Sequence, residues 1–484
     1  MIVNIENREF FYETEKTVRI FLPFEKTEFN KEISNTQTRY LIVKLKEQNQ
    51  NEICYIKLHI DEKTEELQIK LKGVLPKELE ILKGVFLCFA KICGYVPPYG
   101  MLTGVRPTRL YSKTREKLGE ENADKLFLNE YMVNKNKLSL LKTTADFLKI
   151  TDGFNTKKSV SIYISVPFCP SRCSYCSFVS EQIGRAEHLI PQYVENLCEE
   201  IKITAEIVKE YNLEVKTLYL GGGTPTILSA EQLNKILSTA HKAFNFKNLL
   251  EVTVEAGRPD TIIKEKLLSI KDFATRICIN PQTMHNDVLE AIGRKHTVER
   301  FFEAFDLARS LNFKNINLDL IAGLKNDTVC KFTQSIQTAV KLNPEAVTVH
   351  SLSIKRAASL NKKAFYEFNQ GLAAAEMVTN AYNILTKNNY NPYYLYRQSK
   401  TVGNLENIGY SKKGYEGLYN TYIMDETHSV LGIGAGAVTK LKDQNSFKIE
   451  RVQNYKYPYE YISDFNEIIK RKDKIKEFYN AYNR

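Results

Sequence analysis

The chain has 484 residues, 43% of them apolar, and a formal net charge of +11 from 68 Lys and Arg against 57 Asp and Glu. That length holds two or three domains, the apolar content is ordinary for a globular chain, and the modest basic excess permits an anionic ligand without requiring nucleic acid. The longest apolar stretch, GVFLCFAKICGYV, is broken by Lys91 and too short to cross a bilayer, and the N-terminus lacks a secretory pattern, so a cytoplasmic protein with no membrane span and no nucleic-acid partner is expected.

Residues 1 to about 75 alternate apolar and polar in TVRIFLPF, TRYLIVKLKE, ICYIKLHID and LQIKLKG, the period of half-buried strands. Residues 77 to 93 and about 114 to 150 read as helical, on either side of the Pro/Gly-rich YVPPYGMLTGVRPTRL. Residues 1–155 are therefore expected to form an α+β domain of their own. Within 101–110, Gly104 and Pro107 fix a turn, and Arg106 and Arg109 are placed to meet an anion; a purely structural turn is the simpler reading.

The rhythm changes at KKSVSIYISVPF. Strands are expected at 160–167, 216–222, 251–256, 274–280, 315–321 and 346–352, with amphipathic helical segments such as 191–210, 229–243 and 297–311 between them. Strands separated by helices pair in parallel through right-handed crossovers. The fold class expected is α/β, a partial (β/α)6-type TIM-like barrel over residues 156–360, with its chemistry at the C-terminal strand ends. Residues 361–484 carry helical segments, the tyrosine-rich YNPYYLYRQ and the glycine run VLGIGAGAVTK, and read as a mainly helical region packed on the barrel.

Three of the nine cysteines fall in FCPSRCSYCSF: Cys169, Cys173 and Cys176. A reducing compartment and an odd count argue against a disulfide framework. For Cys54, Cys88, Cys93, Cys198, Cys278 and Cys330 a small buried hydrophobe is the reading. The triplet follows the first barrel strand directly, in a polar loop bracketed by Pro167 and Pro170. Structural zinc wants four closed ligands, and the nearest histidine, His188, lies twelve residues beyond Cys176. A cubane cluster held by three thiolates keeps one iron open, which favours iron–sulfur over zinc or coincidence.

With that turn in place the chain resembles the radical S-adenosylmethionine (SAM) enzymes, and among them the oxygen-independent coproporphyrinogen III oxidase group in its HemZ-type branch. The resemblance runs from residue 160 to about 440; the first 155 residues resemble the N-terminal part of that branch alone. It implies a [4Fe–4S] cluster on Cys169, Cys173 and Cys176, with SAM chelating the open iron and cleaved to a 5′-deoxyadenosyl radical. It carries SAM contacts onto Tyr163, Tyr175, Gly222, Gly223 and Thr224 of YLGGGTPT, Glu255, Gln282, Arg294, Asp319, Ser351 and Val438. Glycines there let backbone approach a ligand closely, and Arg294 suits two-pronged carboxylate binding.

The implied reaction is oxidative decarboxylation of two propionates of coproporphyrinogen III to vinyl groups, in porphyrin and haem biosynthesis. A porphyrinogen or haem-like small molecule is the implied partner, with an electron donor such as flavodoxin or ferredoxin. Arg294, Lys355, Arg356 and Arg397 are the cations expected to suit its carboxylates. The oxidases carry a further cysteine two residues after the third ligand, where this chain has Phe178. Haem-binding, chaperone-like relatives also lack it. A haem-delivery protein without oxidase activity, and a radical methyltransferase that opens haem, therefore stand beside the oxidase reading. His296 and His350 are weighed as proton donors, with a satisfied hydrogen-bonding role as the alternative.

Overall fold

The computed structural model describes all residues except 24, 35, 49–50, 74, 177, 179, 354–367, 399–400, 444–445, 447 and 483–484. Lys355 and Arg356 lie outside the described residues. The chain divides into two compact units, Met1–Ala145 with Arg397–Leu405, and Asp146–Tyr396 with Glu406–Arg484.

The first unit is built on strands β1 (Ile2–Ile5), β2 (Glu28–Phe29), β3 (Arg39–Gln48), β4 (Asn51–Ile60) and β5 (Lys63–Lys70), with helices α1 (Phe11–Phe21) and α2 (Lys77–Cys93). The sheet order is β2-β1-β3-β4-β5, with β3, β4 and β5 an antiparallel meander. Alternate residues Leu41, Val43, Cys54, Ile56 and Leu58 face Val18 of α1 and Val85, Cys88 and Phe89 of α2 in one apolar core. Most of TVRIFLPF belongs to α1, so the strand expected there is a helix. Phe10, Thr14, Thr17 and Val18 recur at steps of three and four and are buried, a period the short apolar run disguises.

The segment Arg397–Leu405 is part of this unit. Arg397 is 3% exposed: its backbone N–H donates to Val105 O (2.8 Å), and its guanidinium donates to Leu102 O (2.6 Å) and lies 4.7 Å from the Tyr99 ring centre. The expectation that Arg397 is a strand-end cation for a substrate carboxylate is corrected by this geometry, because both terminal nitrogens of its guanidinium donate to backbone carbonyls, of Leu102, Gly104 and Asn404.

In the second unit β6 (Ser159–Val166) leads into the short pair β7 (Phe168–Cys169) and β8 (Glu181–Gln182). Then follow β9 (Glu214–Gly222), β10 (Glu251–Glu255), β11 (Arg276–Cys278), β12 (Ile316–Ala322) and β13 (Ala346–Ser351). β6 and β9 to β13 are parallel neighbours in chain order, the six strands of the expected partial barrel. Helices Ile190–Glu210, Ala230–Phe244, Lys264–Lys271, Val298–Ser310 and Val329–Leu342 cross between them. Their starts are written locally: Ser229 and Gln232 form a reciprocal cap, and Thr297 and Thr328 accept the N–H of Arg300 and Lys331.

The last 120 or so residues add helices Phe368–Lys387, Leu418–Asp425, Pro458–Ser463, Phe465–Arg471 and Asp473–Tyr482. They also add strands beyond the helical pattern read from the sequence. β14 (Asn391–Arg397) and β15 (Glu406–Ser411) extend the β13 edge, and β16 (Ser429–Ile433), β17 (Val438–Lys442) and β18 (Ile449–Gln453) extend the β6 edge. Aromatic YNPYYLYRQ supplies β14, as aromatic side chains favour a pleated, half-buried surface. Among the described residues no helix is long and apolar enough to cross a membrane. Cys54, Cys88, Cys198 and Cys278 are buried as expected; Cys93 is half-buried, and Cys330 is exposed on the first turn of its helix, against expectation.

Candidate cofactor site at the strand ends

Every residue of β6 but Tyr163 is buried, and the chain leaves it at Pro167 into the cysteine loop. β7 and β8 pair in parallel and brace that loop at its two ends. Cys169 and Cys176 are half-buried and Cys173 is 8% exposed. A turn closes the second spacing, Cys176 N–H donating to Cys173 O (3.1 Å). Ser174 anchors the loop to the segment after β11, its N–H and hydroxyl both donating to Ile292 O (3.0 and 3.2 Å).

Two supports of this loop lie in other elements. The first is the glycine run ending β9. A Cβ on Gly223 would stand 2.5 Å from Phe168 O and 2.9 Å from Cys169 Sγ, and one on Gly222, at φ +111°, 2.8 Å from Val166 N. The glycines thus let β9 lie directly against the root of the cysteine loop. Thr224 Oγ1 is 3.4 Å from Cys169 Sγ. The second support is buried Arg258. It pairs with Asp260 (3.1 Å), donates to Ser171 Oγ (3.0 Å) and Ser171 O (3.3 Å), and reaches Cys173 Sγ at 3.7 Å. Sequence reasoning does not single out Arg258; the signal available was an Arg–Pro–Asp following a strand end.

Register places a second group on one face of the barrel strands. Tyr163 pairs with Tyr219, Tyr219 with Thr253, Glu255 with Cys278, Cys278 with Asn317, and Asp319 with Thr348. Residues two apart share a face, so Tyr163, Tyr219, Glu255, Cys278, Asp319 and His350 line it in succession. Tyr163, Tyr219 and Tyr419 form a three-ring cluster, Tyr163 lying 6.3 Å from each of the other two and Tyr219 4.6 Å from Tyr419.

Glu255 accepts hydrogen bonds from Tyr219 OH and from Asn280 Nδ2 (3.1 Å). Burial, and then the charge of Asp319, push its carboxyl up to about 7. Asp319 behaves oppositely. Burial pushes it up, but hydrogen bonds and charge from His350 and Asn317 prevail and hold it below the usual carboxylate range. Asn317 Nδ2 donates to Asp319 Oδ1 (2.7 Å), and His350 Nε2 lies 3.5 Å from Asp319 Oδ2.

Gln282 stands at φ +69°, strained for a residue with a Cβ, and is bridged to Leu320 of β12. It is buried with Oε1 unpartnered, as is Asn280 Oδ1. Arg294 donates to Tyr175 OH (3.0 Å), Gly257 O (3.2 Å) and Asn280 O (3.1 Å), which ties the cysteine loop to the ends of β10 and β11. His296 is 4% exposed, and burial and Arg294 push it down to about 3, so it is a neutral ring. Ser351 is buried, its hydroxyl donating to Glu406 O (2.7 Å). Val438 opens β17, opposite Gln453 and two strands from β6. Of the residues named from sequence, the cysteines, Tyr175, Gly222, Gly223, Thr224 and Arg294 gather around the loop, and Tyr163, Glu255, Gln282 and Asp319 around the strand face. Ser351 and Val438 stand further out.

The donor set fits a loop-held cluster. Three thiols sit on one braced loop, where burial raises the Cys176 thiol against a backbone hydrogen bond from Phe178, with smaller contributions from Cys173 and Cys169. Among the described residues no three His, Cys, Asp or Glu side chains are already gathered around one metal-sized centre. At the strand face, Gln282 Oε1 and Asn280 Oδ1 are buried without a hydrogen-bond partner, acceptors that suit a polar ligand.

Fold and loop together define a radical SAM protein, and residues 163–339 match the family model described as the Radical SAM superfamily. The oxygen-independent coproporphyrinogen-III oxidase-like protein HemZ of Bacillus subtilis is 39% identical over 390 residues, 79% of this chain and 78% of the relative. The heme chaperone HemW of the same organism is 32% identical over 302 residues, 61% of this chain and 74% of the relative. Among solved structures, coproporphyrinogen III oxidase (HemN) from Escherichia coli superposes with a TM-score of 0.51 at 21% identity, over 66% of this chain and 72% of that one, and shows the same fold. The chain belongs to the oxygen-independent coproporphyrinogen-III oxidase-like family of radical SAM enzymes, in its HemZ branch. Members of the superfamily use a [4Fe–4S] cluster and SAM.

Proposed function

We propose that the protein catalyses oxygen-independent oxidative decarboxylation of coproporphyrinogen III to protoporphyrinogen IX, drawing electrons from a flavodoxin- or ferredoxin-like donor. The observation that carries this reading is the 39% identity to HemZ over 79% of the chain, joined to a strand-end site whose polar groups converge next to the cysteine loop. Cys169, Cys173 and Cys176 would hold the cluster. Tyr163, Tyr175, Gly222, Gly223, Thr224, Glu255, Gln282, Arg294, Asp319, Ser351 and Val438 would receive SAM. When bound, these two groups supply a carbon-centred radical able to remove a hydrogen atom.

The chain's own part is to orient and exclude. The Tyr163, Tyr219 and Tyr419 rings wall the strand face. Gly223 lets β9 hold the loop at close range. Asp319 sets negative charge where a sulfonium or ammonium group would rest, and Glu255 adds its own once such a cation draws off its proton.

A second reading is supported by Phe178, 63% exposed where the oxidases carry a cysteine, and by the HemW relatives: a haem-binding protein that keeps the cluster and delivers haem. Anaerobic reconstitution with iron, sulfide, SAM and coproporphyrinogen III separates the two. Loss of two carboxyl groups by mass spectrometry is the expected result. Tight haem binding with untouched porphyrinogen establishes the second reading, and a methylated linear tetrapyrrole a methyltransferase. Cys173→Ser is expected to abolish the electron paramagnetic resonance signal of the reduced cluster under every one of these outcomes, so it tests the metal centre alone.

A further inference from the structure

Asn407, on β15, faces the site from the strand next to β13. Two backbone groups fix its amide. Oδ1 accepts the Ser351 N–H (3.1 Å), and Nδ2 donates to Tyr396 O (3.5 Å). The same Oδ1 lies 3.3 Å from His350 Nδ1. An oxygen there requires that Nδ1 carry the proton. The other ring nitrogen, Nε2, faces Asp319 Oδ2 at 3.5 Å.

A neutral imidazole has one N–H, and Asn407 claims it. Neutral His350 would then aim a lone pair at a carboxylate. The protonated ring donates on both sides. Asp319 in turn is held as an anion by Asn317 Nδ2 at 2.7 Å.

We propose that Asn407 locks the tautomer of His350, so that His350 and Asp319 stand as an imidazolium–carboxylate pair that a cationic ligand group opens by displacing the His350 proton. His350 and Asn407 are positioning residues in this scheme, acting through Asp319. The proton leaves Nε2 for solvent, which reaches a side chain 29% exposed. No bond to carbon changes. The displacement step rests on the reading that SAM docks against Asp319; the lock does not.

The surroundings favour the charged ring. Burial works against it, but Asp319 from β12, Asn407 from β15 and Glu255 from β10 raise His350 above the ordinary imidazole range. Cys278 from β11, Tyr219 from β9 and Tyr394 from β14 are groups whose burial holds them neutral. Arg276 reaches the same network from β11, donating to Asn317 Oδ1 at 3.0 Å.

Two measurements on the reconstituted full chain test this. In imidazole-labelled protein, with His350→Gln identifying the resonance, wild-type His350 is expected to titrate above its ordinary range. Asn407→Ala frees the other tautomer and should weaken proton binding about ten-fold, while Asn407→Asp keeps the acceptor and restores it. An unchanged midpoint in Asn407→Ala overturns the lock whatever SAM does. Calorimetry of SAM binding in two buffers of different ionisation enthalpy counts the protons released. More protons from wild type than from His350→Gln support displacement, and equal counts overturn it. If the lock holds and wild type binds no SAM, the functional reading fails and the lock stands.

Discussion

At the scale of single residues, the site is governed by what cannot be added or removed. Gly223 has no room for a methyl group: Phe168 O and Cys169 Sγ are both within 3 Å of where it would lie. Gly223→Ala must push the cysteine loop off β9. It is expected to lower cluster occupancy several-fold after reconstitution, read as iron and sulfide per chain, while far-ultraviolet circular dichroism stays unchanged. Glu255 carries a pH signature. Its carboxyl is raised from 4.5 to about 7, so the native state holds a proton that the unfolded chain has already released. Below about 4.5 both states are protonated and this group carries no penalty. As pH climbs through 7 the native state bears an ionised, desolvated carboxylate, and stability falls. Denaturation midpoints of ligand-free protein at pH 5 and pH 8 should therefore differ less in Glu255→Gln than in wild type. An equal difference would remove Glu255 as the cause.

At the scale of elements, the C-terminal helices are fastened to the barrel by a buried charge pair. Glu200, on helix Ile190–Glu210, is fully buried and accepts from Lys472 Nζ (2.7 Å), Asn454 Nδ2 (2.8 Å), Gly434 N (2.8 Å) and Tyr461 OH (2.7 Å). Lys472 also donates to Gly432 O (2.8 Å). Tyr193, one turn and more before Glu200, bridges Ser165 O and Ala435 N. These bonds lock the glycine run after β16 against the end of β6, the strand that feeds the cysteine loop. Removing one partner leaves the other charge buried and uncompensated, which costs about 3–5 kcal/mol. Glu200→Gln and Lys472→Met should each destabilise by that order in urea unfolding. The double substitution should cost less than their sum.

At the scale of the whole molecule, strand order was legible and its flanks were not. Six apolar strands spaced by helices foretold β6 and β9 to β13, because a crossover leaves one choice of neighbour and hand. β14 to β18 join the two outer edges from far along the chain, and no local period announces such a partner. The same holds for the N-terminal unit, where α1 carries apolar residues that also read as a strand and was settled by packing on the sheet. Within the candidate site, the packing of the glycine run against the cysteine loop was foreshadowed by motif spacing. Arg258, Tyr219, Asn280 and Asn407 were not, since each matters through a neighbour distant in sequence. Arg397, read as a cation for substrate, proved to be a cation for carbonyls.

The amino-acid sequence alone determined the loop of three thiols, the parallel strand succession before and after it, and so the kind of chemistry the chain can host. These are local facts, carried by spacing and by the sterics of glycine and proline. Tertiary structure decided which buried charges face one another: Glu255 with Tyr219, Asp319 with His350, Glu200 with Lys472. The reason is that electrostatic energy in a low-dielectric interior depends on distance between residues that the chain brings together only when folded.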